Sequence, residues 1–262
     1  PAGYIGLLEV DSAYISVETE IGDNFEITAG IRQEDGLQQV NTYDLFTGVD
    51  STIDKSIEED YTLPSVTVTY LPEFDENLQI RLGLSQTIAR PTFRELSPTL
   101  FIDVDTDRVI AGSLYLQNSE IDNFDLRAEY YFGKNQFLTA GTFYKEILNP
   151  IEETVNESGD LIITSYQNVP LAEINGFEIE YEQLFEAIMD SPNDLLVKFN
   201  YTQTESEVIV NPGDTYINSL GTLVDAQNLL ANGRDTRLQG QSDTIANLQI
   251  GLDNLQNQTQ AT

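Results

Sequence analysis

The residue types available for chemistry are few. The 262-residue chain has no histidine and no cysteine, against 44 Asp plus Glu and 12 Lys plus Arg. A Ser–His–Asp triad, an imidazole or thiolate metal site and a cysteine nucleophile are excluded, and the commonest general base near neutrality is missing. Carboxylate chemistry of the glycosidase kind stays open on composition alone. Its visible candidate, Glu152-Glu153, is an adjacent pair in a strand-like run, where neighbours face opposite ways. Three groups remain. Asp103, Asp105 and Asp107 form a D-x-D-x-D run whose alternate carboxylates are candidate calcium ligands. Arg108 stands where an EF-hand loop has its turn glycine and no Glu follows at the twelfth position, so a solvated loop is the competing reading. Arg90, Phe93 and Arg94, with Glu95, either grip a ligand or hold a loop through ion pairs. Tyr43, Phe46, Phe93, Phe101, Tyr115, Tyr166 and Tyr216 lie in irregular stretches and either stack on a sugar or an aromatic chelate or pack on one another. Of all these, Arg90, Phe93, Arg94, Tyr43, Tyr166 and Tyr216 are the candidate ligand contacts.

The elements that must carry these residues are strands. Leu78, Ile80, Leu82 and Leu84 alternate with Gln79, Arg81, Gly83 and Ser85, the period-2 pattern of a strand with one apolar and one polar face. The same alternation runs through 12–21, 24–34, 65–71, 123–132, 136–149, 175–185, 194–203 and 244–252, and a last strand begins near Gln258. The connections sort by length. Short turns fall at Gly22-Asp23, 72–76, 133–135, 187–193 and 253–257. Long polar loops fall at about 35–60, 89–122 and 204–241. Another loop follows 136–149 and holds a hairpin of its own, IEETV and LIITSYQ around a turn at 156–160.

About ten antiparallel strands whose connections alternate short and long place all short turns at one end and all long loops at the other. That asymmetry predicts an all-β, up-and-down transmembrane β-barrel segment, with short periplasmic turns and long extracellular loops. The polar faces carry Arg32, Arg81, Arg127, Glu129, Glu178, Glu180 and Lys198, charges that suit a hydrated lumen wall and not a dry core. Cross-strand ion pairs account for them without any ligand. Tyr70, Phe132 and Tyr181 fall towards the short-turn ends, where an interfacial aromatic girdle belongs, although the chain has no Trp. The alternative is a soluble sandwich or lipocalin-like barrel, apolar side inward.

The formal net charge of −32 is hostile to nucleic acid, whose phosphates need a basic footprint. It suits an exposed surface, a cationic ligand or bound divalent ions. No run of about 18 apolar residues forms a transmembrane helix, and PAGYIGLLEV lacks the basic start and apolar core of a signal peptide.

The run IRLGLSQTIARPTFRELSP resembles a recurrent barrel segment of the TonB-dependent outer-membrane receptors. NFDLRAEYYFGKNQFLTAGTFYKEILNPIEE, AEINGFEIEYEQ and LQGQSDTIANLQIGLDN resemble later segments of the same family, in order. The resemblance implies that residues 1–262 are part of the C-terminal half of a larger barrel, without its plug domain, TonB box and closing strands. With histidine absent no enzyme is expected, and no cofactor beyond calcium in the acidic loops. What the resemblance implies is active uptake of a scarce ligand, a siderophore, oligosaccharide or similar, across the bacterial outer membrane. The partners would be outer-membrane lipid and lipopolysaccharide, the ligand, and TonB–ExbB–ExbD through the absent plug. A passive porin, a structural barrel, and a secreted acidic β-protein binding carbohydrate or calcium are the alternatives.

Overall fold

The computed structural model describes residues 2–44, 46, 55–105, 107–133, 136–158, 161–185, 194–229, 237–254 and 259–261. In chain order the strands are β1 (Ala2–Ile21), β2 (Phe25–Asp44), β3 (Lys55–Tyr70), β4 (Leu78–Ala89), β5 (Phe101–Ile102), β6 (Val109–Ile110), β7 (Ser119–Gly133) and β8 (Gln136–Leu148). They continue as β9 (Ile151–Ser158), β10 (Leu161–Asn168), β11 (Leu171–Phe185), β12 (Asp194–Ile209), β13 (Thr215–Ile217), β14 (Leu223–Asp225), β15 (Thr244–Asn254) and β16 (Thr259–Ala261). One short helix, α1 (Phe93–Leu96), follows β4.

Ten strands form one antiparallel sheet in the order β1-β2-β3-β4-β7-β8-β11-β12-β15-β16, so each ladder strand pairs with the ladder strands before and after it. This is the expected up-and-down segment, and the sheet does not close on itself. The remaining strands belong to the long connections. β5-β6-β10-β9 is a small sheet in which β6, from the β4–β7 connection, pairs in parallel with β10, from the β8–β11 connection. The hairpin expected at 151–167 is β9 and β10; its turn residues 159–160, the 187–193 link and Gln258 lie outside the described residues.

One feature of the sequence reading is corrected. The stretch 35–60 is mostly strand, because β2 runs on to Asp44 and β3 starts at Lys55, and the two stay in register from Phe25–Tyr70 to Val40–Lys55. β1 likewise starts at Ala2, well before 12, and β12 runs to Ile209. These extensions lack alternation because they stand above the apolar band. Water wets one face there and folded loops cover the other, while the backbone ladder still satisfies its N–H and C=O groups.

The register separates the two faces. One carries Ile15, Ile31, Val66, Leu84, Phe124, Tyr144, Phe177 and Tyr201; the other carries the charges. At the short-turn end the apolar face ends in aromatic pairs, Phe25–Tyr70 with ring centroids 5.0 Å apart and Tyr130–Phe132 at 5.1 Å. Phe124, Tyr144, Phe177 and Tyr201 form a second row about eight residues up their strands, close to the nine to eleven a tilted strand needs to cross hydrocarbon. Just above it on the same face, Asp122, Glu146, Glu173 and Glu207 stand directly opposite one another across four strands. Facing like charges destabilise a sheet, so this row marks where water begins. Among the described residues no helix is long and apolar enough to cross a membrane; the crossing elements are the strands.

The β3–β4 ladder is short. It joins Ser65–Tyr70 to Ile80–Ser85 and stops below Pro64, which has no N–H to give. Higher up, β3 pairs with β2 alone and β4 with β7 alone.

The face assignment makes a direct test. In the full-length protein folded into lipid vesicles, Leu82→Arg, on the apolar face, is expected to cost about 2–4 kcal/mol. Asn200→Lys, on the polar face opposite Glu180, is expected to stay within about 0.5 kcal/mol of the parent. Urea titration of the heat-modifiable folded band reads both, and equal costs at the two positions would reverse the reading.

Candidate functional site

Three assemblies on the polar face position the chemistry-bearing side chains. The first lies where β4 ends. Pro91 cannot continue a ladder and restricts Arg90 to extended backbone, so the chain leaves the sheet there and folds in over β2. Arg90 donates to Glu34 Oε1, while Arg32 Nε donates to Glu34 Oε2 at 3.0 Å. Gln38 Nε2 donates to the Pro91 carbonyl at 2.7 Å. Thr92 and Glu95 then cap α1 reciprocally: Glu95 N–H donates to Thr92 Oγ1 at 3.3 Å and Thr92 N–H to Glu95 Oε2 at 2.6 Å. The Phe93 ring lies on Gly6 and the Arg90 guanidinium on Gly36, each so close that a Cβ on the glycine would collide with it. Leu96 is fully buried with Val40, Ile57 and Leu116, and Phe93 and Tyr166 pack against that cluster. Burial pushes the Tyr166 phenol up, with Glu153 adding to the effect.

The second assembly is a charge network on the wall. Arg81 and Arg127 are direct cross-strand partners, an unfavourable pairing on its own. Glu129 resolves it by meeting Arg81 Nη1 at 3.4 Å and Arg127 Nε at 3.2 Å through one oxygen. Its other oxygen accepts from Gln79 and, at 2.6 Å, from the Tyr131 hydroxyl. Arg127 also reaches Glu180 at 3.5 Å, and Lys198 pairs with Glu182 at 2.9 Å. A hollow of about 300 Å³ opens beside the network, lined by Arg81, Asp125, Arg127, Phe143 and Glu178 among others.

The third assembly is a roof made by the long connections. A second buried cluster, Val169, Ala172, Val208, Ala226 and Leu229, receives Tyr216 and Leu238 at its edge. Asn168 ties two connections together, donating to the Gln117 and Asn149 carbonyls at 3.1 and 2.6 Å and accepting from the Gln117 N–H at 3.0 Å. Leu238 N–H donates to Ser206 Oγ at 3.0 Å, and Gln239 reaches Glu152 and Glu153 on β9. Apolar side chains on the upper polar face, Val40, Ile57, Ala172 and Val208, are what the roof packs upon.

The candidate residues therefore fall in different places. Arg90, Phe93 and Arg94 come together and hold the chain inward; Arg94 lies over the Phe101 ring at 3.3 Å. Tyr43 lies on the other face, over Gly3. Tyr166 and Tyr216 sit in separate clusters. The wall residues assemble as cross-strand neighbours. Within D-x-D-x-D, Asp103 Oδ1 accepts from the Asp105 N–H at 2.9 Å and Asp107 has φ 54°, a turn geometry. Among the described residues no group of three or more carboxylates is arranged to hold a metal ion. Glu34, Gln38 and Asn168 carry no sequence signal that marks them as site residues, and Tyr115 stands out only as one of seven loop aromatics. Glycines on the polar side of β1 and β2 are the one signal that another chain segment approaches there.

The sheet, its sorted connections and its two faces match known proteins. The family model for the TonB-dependent receptor-like β-barrel matches residues 4–257, and the chain belongs to that family. No curated protein matches it in sequence. Among solved structures it resembles the siderophore receptor PiuA of Acinetobacter baumannii, with a TM-score of 0.61 at 16% identity over 95% of this chain and 31% of that one. It resembles the Serratia marcescens hemophore receptor HasR with a TM-score of 0.61 at 13% identity over 94% of this chain and 41% of that one. The copper transporter OprC gives 0.53 at 16% identity over 83% of this chain and 31% of that one. The chain thus spans between 31% and 41% of the length of these proteins.

The inward fold after β4 is open to test. Arg90→Ala removes a charged donor from the buried Glu34 carboxylate and is expected to loosen the segment by about 2–3 kcal/mol. Leu96→Ala, at a fully buried position, is expected to cost about 2–5 kcal/mol. Limited trypsin digestion of the folded receptor should show faster cleavage after Arg94 in both variants. Unchanged cleavage in Arg90→Ala would remove the ion pair from the docking.

Proposed function

We propose that residues 1–262 form wall and outer vestibule of a receptor that actively imports a scarce ligand across the bacterial outer membrane. The apolar face then meets outer-membrane lipid and lipopolysaccharide, and the charge network lines a hydrated lumen. TonB–ExbB–ExbD supplies the energy through a plug carried elsewhere in the protein. The observation that carries this reading is the inward-folded roof: connections from β4, β8 and β12 converge over the polar face and narrow it. A receptor needs a surface that holds its ligand before transport, and such a cover supplies one. The similar structures are a siderophore receptor, a hemophore receptor with its hemophore and heme, and a copper transporter. They leave the ligand class of this chain open.

Two experiments decide the reading. The full-length protein should sediment with the outer membrane and leave it only with detergent; recovery in the soluble fraction would overturn the barrel. Uptake that depends on this receptor should fall to background in a strain lacking TonB, and undiminished uptake there would make the protein a passive pore.

A further inference from the structure

Of the loop aromatics, Phe93, Phe101 and Tyr166 are engaged in anchoring the inward fold, and Tyr43 lies on the apolar side of the sheet. Phe46 is 81% exposed to water; Tyr115 and Tyr216 together line one cleft of about 150 Å³ where the connections after β4, β8 and β12 meet. A space of about that size admits a single six-membered ring. Tyr115 is 49% exposed, and its ring rests on Gly221, whose φ of +79° and lack of a side chain admit it. Tyr216 is held from behind by the Val169–Ala172–Val208 cluster. The cleft edges also carry Gln117 and Thr215, whose side chains make no hydrogen bond to protein among the described residues. The floor is built: Asn149, in left-handed backbone at φ 53°, and Asn168 are locked to each other, to Ser119 and to Gln117.

The electrostatics narrow the occupant. Among the described residues no lining side chain of the cleft is charged, in a chain of net charge −32. The described arginines do not supply a free cation nearby. Arg32, Arg81, Arg90, Arg108, Arg127 and Arg237 each meet a carboxylate, and Arg94 lies on Phe101. An anionic chelate would enter a repulsive field with no counter-charge among the described residues of the cleft. A neutral ring with apolar C–H faces and several hydroxyls meets what the cleft offers: aromatic faces and uncharged amide and hydroxyl groups. We propose that the Tyr115–Tyr216 cleft is a subsite for one sugar residue of a neutral oligosaccharide. This rests on the receptor reading above and names the ligand class of that receptor.

The test uses the full-length receptor in detergent and titration calorimetry with defined probes: hexasaccharides of α-glucan, β-glucan, β-xylan and α-mannan, hexagalacturonate as the anionic counterpart, and ferric enterobactin as an anionic chelate. At least one neutral hexasaccharide is expected to bind and hexagalacturonate is not. Tyr115→Ala should weaken that binding about tenfold or more, as loss of a central aromatic contact does. Tyr115→Phe should stay within about threefold. Leu223→Asp, which sets a charge at an exposed lining position and leaves buried packing intact, should weaken it similarly. Heat-modifiable migration confirms that each variant is folded. The proposal is overturned if no neutral hexasaccharide binds, if one binds equally to Tyr115→Ala and Leu223→Asp, or if hexagalacturonate or ferric enterobactin binds in a Tyr115-dependent way. TonB-dependent uptake of ferric enterobactin that ignores Tyr115→Ala would overturn the subsite and leave the receptor reading standing.

Discussion

A strand that crosses hydrocarbon must hand every backbone N–H and C=O to a neighbour, since no water is there to take them. The rest of this structure follows from that constraint. It forces consecutive strands side by side, so the connections have to be tight on one side of the membrane, and on the other they are free to lengthen. It also fixes the side chains, because a continuous register gives each strand one row towards lipid and one away from it. Residues that look like ordinary surface charge in isolation become residents of a narrow polar interior.

That interior handles charge by sharing. Arg81 and Arg127 face each other across a ladder and are held by one carboxylate, Glu129, which is itself nearly inaccessible. Taking Glu129 away would leave two cations adjacent on a rigid sheet with nothing between them. Glu34 has the same office higher up, between Arg32 and Arg90, and there it also fixes the path of the chain after β4. In both places a single acid serves two bases, although acids far outnumber bases in the chain. Further acids, Asp122, Glu146, Glu173 and Glu207, face water above the upper aromatic row, where repulsion is screened.

The alternating strands were legible because lipid on one side and water on the other enforce a period of two. Legibility failed where that contrast ends. Residues 35–44 and 55–60 read as loop because no apolar row marks them, yet their ladder continues. The candidate site was legible only in part. Arg90, Phe93 and Arg94 announced themselves by type, but the partner of Arg90 is Glu34, 56 residues earlier, and no local pattern links the two. The cleft at Tyr115 was harder still, because it draws on three connections whose meeting depends on β6 pairing with β10. Pairing between loops leaves no periodicity in either partner.

The short β3–β4 ladder has a mechanical consequence. Above Ser65 the wall is two panels, β1–β3 and β4–β15, and no backbone hydrogen bonds stitch β3 to β4. What bridges them is side-chain contact: Asn118 donating to Glu59 and Tyr61, and the Arg90–Glu34 pair with the segment behind it. Side-chain bridges yield under load before a cooperative ladder does. A pull on the outer loops would part the wall along this seam and spare the membrane-crossing strands below it. The line of weakness and the line along which the chain turns inward are the same line.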